Sequence, residues 1–237
     1  MGNAAAKEMR EKPVKDGTMT GELQKCISAD CVSKKKLTLK LEDTSTGWAF
    51  RAGQAKLKDD KDKVMYHTSG YSNDAKMFTV KLVDADEKVI CLACCKDVTN
   101  DQKAIVKLLR PDVPAYPDQS DFSKWAREKY SPLYPMATIE LARGTGDAAA
   151  EAKYTVTRED DDGNPETLLV YTAKMISSMS GSFLMAVTNA DKQLVAKVDQ
   201  PKAMDTKNMT VECGAGVDIV GVTLLSVFFS VTNGSLW

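Results

Sequence analysis

The chain has 237 residues, 43% hydrophobic and 27% charged, the balance of a globular protein with ample core. A formal net charge of −1 argues against a general nucleic-acid binder, which carries a basic excess. The length suits one large all-β domain or two small ones.

Residues 1–30 read as a flexible polar arm. Its start, Gly2-Asn-Ala-Ala-Ala-Lys, resembles an N-myristoylation signal, with Ala6 where that pattern asks for Ser or Thr. Gly2 is therefore the candidate lipid anchor. The arm has no apolar run of the signal-peptide kind, so no secretory signal is expected. The six cysteines are then expected as thiols in a reducing compartment, and the sequons at Asn208 and Asn233 carry no meaning.

Lys34-Lys-Lys-Leu-Thr-Leu-Lys-Leu41 alternates from Leu37 and predicts a strand. Trp48 to Leu57 predicts another strand or a pair. Asp59-Asp-Lys-Asp62 is a turn, followed by Val64-Met-Tyr-His67. Met77 to Val83, the polar turn Asp84 to Lys88, and Val89 to Cys95 predict a hairpin. Ala104 to Pro135 breaks the pattern with prolines at 111, 114, 117, 132 and 135. Within it, Ser120 to Tyr130 predicts a short helix with Phe122, Trp125 and Ala126 on one side. It is read as a loop staple or, alternatively, a partner-docking helix through Phe122 and Trp125. Strand patterns resume with Ala137 to Leu141, which echoes Leu37 to Leu41, and continue through Tyr154 to Arg158, Thr167 to Ala173 and Ser182 to Val198. At an offset of 105, Tyr66 meets Tyr171, Phe78 meets Phe183 and Ala85-Asp86 meets Ala190-Asp191. An internal duplication accounts for this economically.

The chain closes on Gly216-Val-Asp-Ile-Val-Gly-Val-Thr-Leu-Leu-Ser-Val-Phe-Phe-Ser-Val231. Thr223, Ser226 and Ser230 share one narrow face, and apolar side chains cover the rest. A helix apolar almost all round sits in a membrane or in the middle of a protein. Ile219 to Val231 makes about 20 Å of helix against about 30 Å of hydrocarbon, and Asp218 suits an N-cap better than lipid. The buried helix is the preferred reading, with a tail anchor as the alternative. Two sheet halves of about six strands each expose edges unless they close, and a barrel that wide needs a filler. The expected fold is mainly β: a closed barrel of about twelve strands from two duplicated halves, with the apolar helix through its lumen. Its parts are a first half over 31–103, a Pro-rich connector over 104–135, a second half over 136–210 and the central helix over 216–231.

Duplicated β-halves, Thr210-Val-Glu-Cys-Gly-Ala-Gly-Val-Asp218 and the apolar run after it resemble the tubby-like superfamily, nearest its LURP-one-related branch. The tail Ser230 to Leu236 is similar to the end of tubby itself. The resemblance covers about Lys34 to Trp237 and implies a twelve-stranded barrel threaded by its last helix. Tubby binds phosphoinositides, scramblases share the fold, and the LURP-one-related branch has no settled activity. What it implies here is a non-enzymatic, membrane-peripheral phosphoinositide-binding or adaptor protein at the cytoplasmic face of a membrane. The alternatives are a structural subunit of a larger assembly and a scramblase-like lipid-handling protein. No basic motif of this chain matches tubby's own headgroup-binding residues.

Candidate headgroup-binding residues are Lys34, Lys35, Lys36, Lys56 and Lys58, because clustered lysines attract anionic lipid. Lys61 and Lys63 lie nearby, with Asp59, Asp60 and Asp62 interrupting the group, so a solvated face is the competing reading. Cys91, Cys94 and Cys95 cannot converge on a metal from one strand, since neighbours alternate faces. His67, the single histidine, has no recognisable triad partner pattern. The acidic turns at Asp84/Asp86 and Asp160–Asp162 lack calcium-loop spacing. No metal, cofactor or nucleic acid is expected; an anionic lipid and a protein partner are.

Overall fold

Period-2 alternation and polar turns produce a mainly β molecule with one helix near each end of the chain. The computed structural model describes residues 2–17, 31–43, 55–74, 77–96, 103–109, 137–142, 151–159, 164–177, 183–200 and 209–234. The elements are α1 (Gly2–Glu11), β1 (Leu37–Asp43), β2 (Ala55–Lys58), β3 (Val64–Asp74), β4 (Met77–Asp84), β5 (Val89–Lys96) and β6 (Lys103–Leu109). They continue with β7 (Ala137–Ala142), β8 (Glu151–Glu159), β9 (Pro165–Ser177), β10 (Phe183–Thr188), β11 (Leu194–Gln200), β12 (Met209–Cys213) and α2 (Ile219–Gly234).

All strand pairings are antiparallel, and sequential strands are neighbours throughout. β1 pairs with β2 on one side (Leu41 opposite Leu57) and with β12 on the other (Leu39 opposite Val211), so the order returns on itself. Each strand therefore has two hydrogen-bonded neighbours among the described residues, the arrangement that protects strand edges from another chain.

The hairpins are built alike. In the β4–β5 turn the Lys88 carbonyl accepts from Asp84 N–H at 2.9 Å, and Glu87 takes φ 62°. In the β10–β11 turn, 105 residues on, the Gln193 carbonyl accepts from Asn189 N–H at 3.0 Å, and Lys192 takes φ 61°. The register slips at matching places, between Leu82 and Val83 and between Val187 and Thr188. The β2–β3 turn repeats the device with Asp59 and with Asp62 at φ 67°. Asp59, Asp84 and Asn189 each fold a side-chain oxygen back onto backbone N–H groups of their turn, which is why Asx residues stand there.

The core is one cluster that takes side chains from every strand and from α2. Val220, Val222, Leu224, Leu225, Val227 and Phe228 cover more than half of the circumference of α2 and Thr223 and Ser226 lie on the remainder, and none of the eight is more than 2% exposed. Thr223 lies beside Leu57, Tyr66 and Leu82, while Gly221 meets Tyr154. A helix covered from β2–β4 and from β8 alike lies within the curve of the sheet. Ala55, Ala93, Ala137, Ala152, Ala173 and Ala196 line that interior, and such small side chains leave room for a helix. The buried hydroxyls of Thr223 and Ser226 donate to the carbonyls of Ile219 and Val222, both at 2.7 Å, so the polar stripe needs no outside partner.

Three sequence expectations need correction. The connector does not begin at 104: Lys103–Leu109 is β6, paired with β5 and β7, because Ala104-Ile-Val-Lys-Leu-Leu109 is an apolar run that the prolines after it disguise. The central helix is α2 over Ile219–Gly234, three residues later at each end than 216–231, because Gly216 at φ 70° turns the chain and Asp218 caps the first turn. The arm is not free over 2–17. There α1 and the segment after it lie on the outside of the sheet, with Ala6 and Val14 buried. The predicted helix at 120–130 lies outside the described residues, as do Trp48 to Gln54.

Candidate functional site

Asp218 is the most unusual group in the interior. It is fully buried at the N-terminus of α2, where four N–H groups lack helical partners. Its Oδ1 accepts from Gly221 N–H at 3.0 Å and its Oδ2 from the Tyr154 hydroxyl at 2.6 Å. Asp218 N–H in turn donates to the Tyr171 hydroxyl at 3.2 Å. The two tyrosine rings stack with centroids 6.0 Å apart. Burial raises the Asp218 carboxyl to about 6, against the opposing hydrogen bonds from Tyr154, Gly221 and Val220. Burial, then the nearby Asp218 charge, pushes both tyrosines above their ordinary value and the Cys213 thiol up to about 12. Perturbed carboxyl, phenol and thiol groups often mark catalysis. Here the carboxylate caps a helix and the two hydroxyls bond to that Asp, and Tyr154 and Tyr171 are at most 1% exposed.

The closeness of this packing yields a prediction. A Cβ on Gly221 would stand 2.4 Å from Tyr154 Cε1 and 2.7 Å from Asp218 Oδ2. Gly221→Ala is therefore expected to destabilise by about 1–3 kcal/mol, despite alanine's better helix propensity. Urea unfolding checks it; an unchanged or raised midpoint would show that Tyr154 yields freely.

The loop before α2 is braced from two directions. Ser33 N–H donates to the Val217 carbonyl at 3.0 Å, and Gly216 N–H donates to the Ser33 carbonyl at 2.7 Å. Val217 N–H donates to the Ser33 hydroxyl at 2.9 Å, and that hydroxyl donates to the Gly214 carbonyl. Gly17 N–H donates to the Ala215 carbonyl at 2.7 Å from the arm.

The candidate lysines divide on the outer surface. Lys34 and Lys35 are exposed and hold no ion pair among the described residues; the same is true of Lys56. Lys36 is bound to Glu212 at 2.7 Å, and Lys58 to Glu42. Lys40 and Lys58 stand opposite each other across β1 and β2, a repulsive placement that Asp62 and Glu42 relieve. Lys56 sits opposite Glu42, six residues along the chain from Lys36, or about 20 Å at the rise of a strand. The two lysine groups are therefore not one patch. The rim of the sheet at which β1 starts, just after Lys34 and Lys35, is also the one that carries the β2–β3 turn with Asp59, Asp60 and Asp62 and the β4–β5 turn with Asp84, Asp86 and Glu87. Gly2 is the first residue of α1, about 15 Å of helix from the α1 end nearest this rim. Phe122 and Trp125 lie outside the described residues.

Cys31, Cys91 and Cys213 are buried. His67 Nε2 faces Glu87 at 3.5 Å on the surface. Among the described residues no three His, Cys, Asp or Glu side chains converge, and no helix is long and apolar enough to cross a membrane. Neither the Asp218–Tyr154–Tyr171 cluster nor the contacts of α1 were foreseen. The lone carboxylate ahead of an apolar helix signalled that donors were needed, but not which ones. Compared with protein-family models, with curated proteins and with solved structures, the chain matches none.

Proposed function

We propose that the chain is a non-enzymatic, membrane-peripheral protein of the tubby-like kind that recognises anionic lipid headgroups on its outside. The observation that carries this reading is the filled interior, which leaves recognition to the outer surface. A cleft of about 70 Å³ between Arg10, Leu184, Lys197 and Asp199 is far below the several hundred Å³ of a typical ligand pocket. On that outer surface Lys34 and Lys35 are exposed cations without a carboxylate partner among the described residues, and a lipid surface draws such groups at about 1 kcal/mol each. Gly2, if acylated, supplies a second, weak attachment of the kind that needs a partner signal.

Vesicle co-sedimentation tests this. Lys34→Ala with Lys35→Ala is expected to lower affinity for anionic vesicles about tenfold or more, and added salt to mimic the loss. Adding Lys36→Ala is expected to change the affinity less than either of these, because Lys36 is already paired with Glu212. In its own cells, Gly2→Ala shifts the protein from membrane to cytosol. Vesicle binding indifferent to both salt and these lysines would overturn the proposal. A second reading, a structural subunit of a larger assembly, is favoured by the acidic turns on the rim where β1 starts, which oppose an anionic surface. Under it the unacylated protein binds vesicles negligibly, and changes at Phe122 or Trp125 disturb a complex instead.

A further inference from the structure

We infer that residues 2–17 form a detachable strap, clipped to the outside of the sheet and able to leave it while the rest of the fold stays intact. Three observations lead there. The strap's apolar contacts form a separate small cluster, with Val14, Ala186 and Leu194 buried and Met9 and Ile176 against them, apart from the interior core. The strands beneath it already have neighbours on both sides, so its departure leaves no strand unpaired.

The clip itself is polar and concentrated at the end of α1. Lys197 Nζ donates to the carbonyls of Arg10 at 2.9 Å and Lys12 at 2.8 Å while pairing with Glu212 at 2.9 Å. A cation satisfying the last carbonyls of a helix also suits the helix dipole. Arg10 Nε reaches both oxygens of Asp199 at 3.0 Å, while its Nη2 is buried with no partner among the described residues. A buried donor left unsatisfied works against the docked state, and release returns it to water. Lys15 N–H, bonded to the Leu194 carbonyl at 2.7 Å, and Gly17 hold the far end. Release frees the stripe Ala6, Met9 and Val14, the side that docking hides. Its use at a membrane rests on the function proposed above; the strap does not.

Hydrogen exchange on the full-length chain, without vesicles, is the test. Amides of 2–17 are expected to exchange about a hundredfold or more faster than those of β9–β12, through an opening of their own. Lys197→Met, which keeps the stem and removes the charge, is expected to speed the strap about tenfold further while β9–β12 stay unchanged. Asp199→Asn, which weakens the Arg10 pair, acts in the same direction and serves if Lys197→Met does not fold. Strap and strands exchanging as one unit, or both variants leaving the strap's rate unchanged, would overturn the inference. Adding anionic vesicles to the acylated protein separates the two claims. Loss of strap protection on vesicles supports the membrane use, whereas a strap that opens alone but ignores vesicles sinks only that use.

Discussion

Leu225→Asp or Phe228→Asp is expected to leave no folded protein. Both side chains are fully buried in α2, within the cluster that joins all twelve strands. An unpaired charge in such a place costs several kcal/mol, a large part of the roughly 5–15 kcal/mol that holds a typical domain together. The expected outcome is loss of soluble expression and of cooperative thermal unfolding. Deleting 216–237 has the same effect for a different reason. It leaves a wall lined by Ala55, Ala93, Ala137, Ala152, Ala173 and Ala196 with nothing to pack on, and hollow apolar interiors are unstable. A soluble, cooperatively folding truncation would refute the interior placement of α2 and restore the tail-anchor alternative.

The second large effect is expected at Asp218, and it depends on pH. Its carboxyl is raised from 3.8 to about 6 in the fold, by burial against the opposing hydrogen bonds. A raised folded value means that the folded state holds its proton more tightly than the unfolded chain does. This group's stabilisation is therefore fully present below about pH 4 and is lost as pH rises through 6, amounting to roughly 3 kcal/mol. Asp218→Asn keeps an acceptor for Gly221 N–H and cannot ionise, so it is expected to flatten the decline in unfolding midpoint between pH 5 and pH 7.5. Asp218→Ala removes the cap and strands the Tyr154 hydroxyl and the Gly221 N–H in a dry interior. It is expected to cost about 3 kcal/mol at pH 5 and less at pH 8, where the native carboxylate already carries its burial penalty. Denaturant melts across that range check both variants. Wild-type and Asp218→Asn curves that stay parallel would mean that the carboxyl is not titrating there.

The strap and the lysines show how far local reasoning carries. Lys34-Lys35-Lys36 and Lys56 to Lys63 are conspicuous as runs of charge, yet Lys36, Lys40 and Lys58 are matched to Glu212, Asp62 and Glu42. Glu212 illustrates the balance: burial pushes its carboxyl up, but hydrogen bonds from Lys36 and Lys197 outweigh that and hold it low. The same is true of α1, whose sequence reads as a polar tail because Arg10 and the carbonyls of Arg10 and Lys12 hold it to the sheet beside a short apolar stripe.

The sequence by itself determined the parts whose causes are local. Alternation within β1, β4, β5, β10 and β11 needs only neighbours two apart, and the turns at Asp84 and Asn189 close on residues four away. A run after Asp218 that is apolar on all but one narrow face likewise announced a capped, buried helix. The tertiary structure alone decided what distant residues do together. Tyr154 and Tyr171 meet Asp218 from 64 and 47 residues away, and Arg10 meets Asp199 across 189. No periodicity links such pairs, because side-chain hydrogen bonds depend on where strands cross in space rather than on spacing along the chain. That is why the capping cluster and the strap were invisible until the strands were placed.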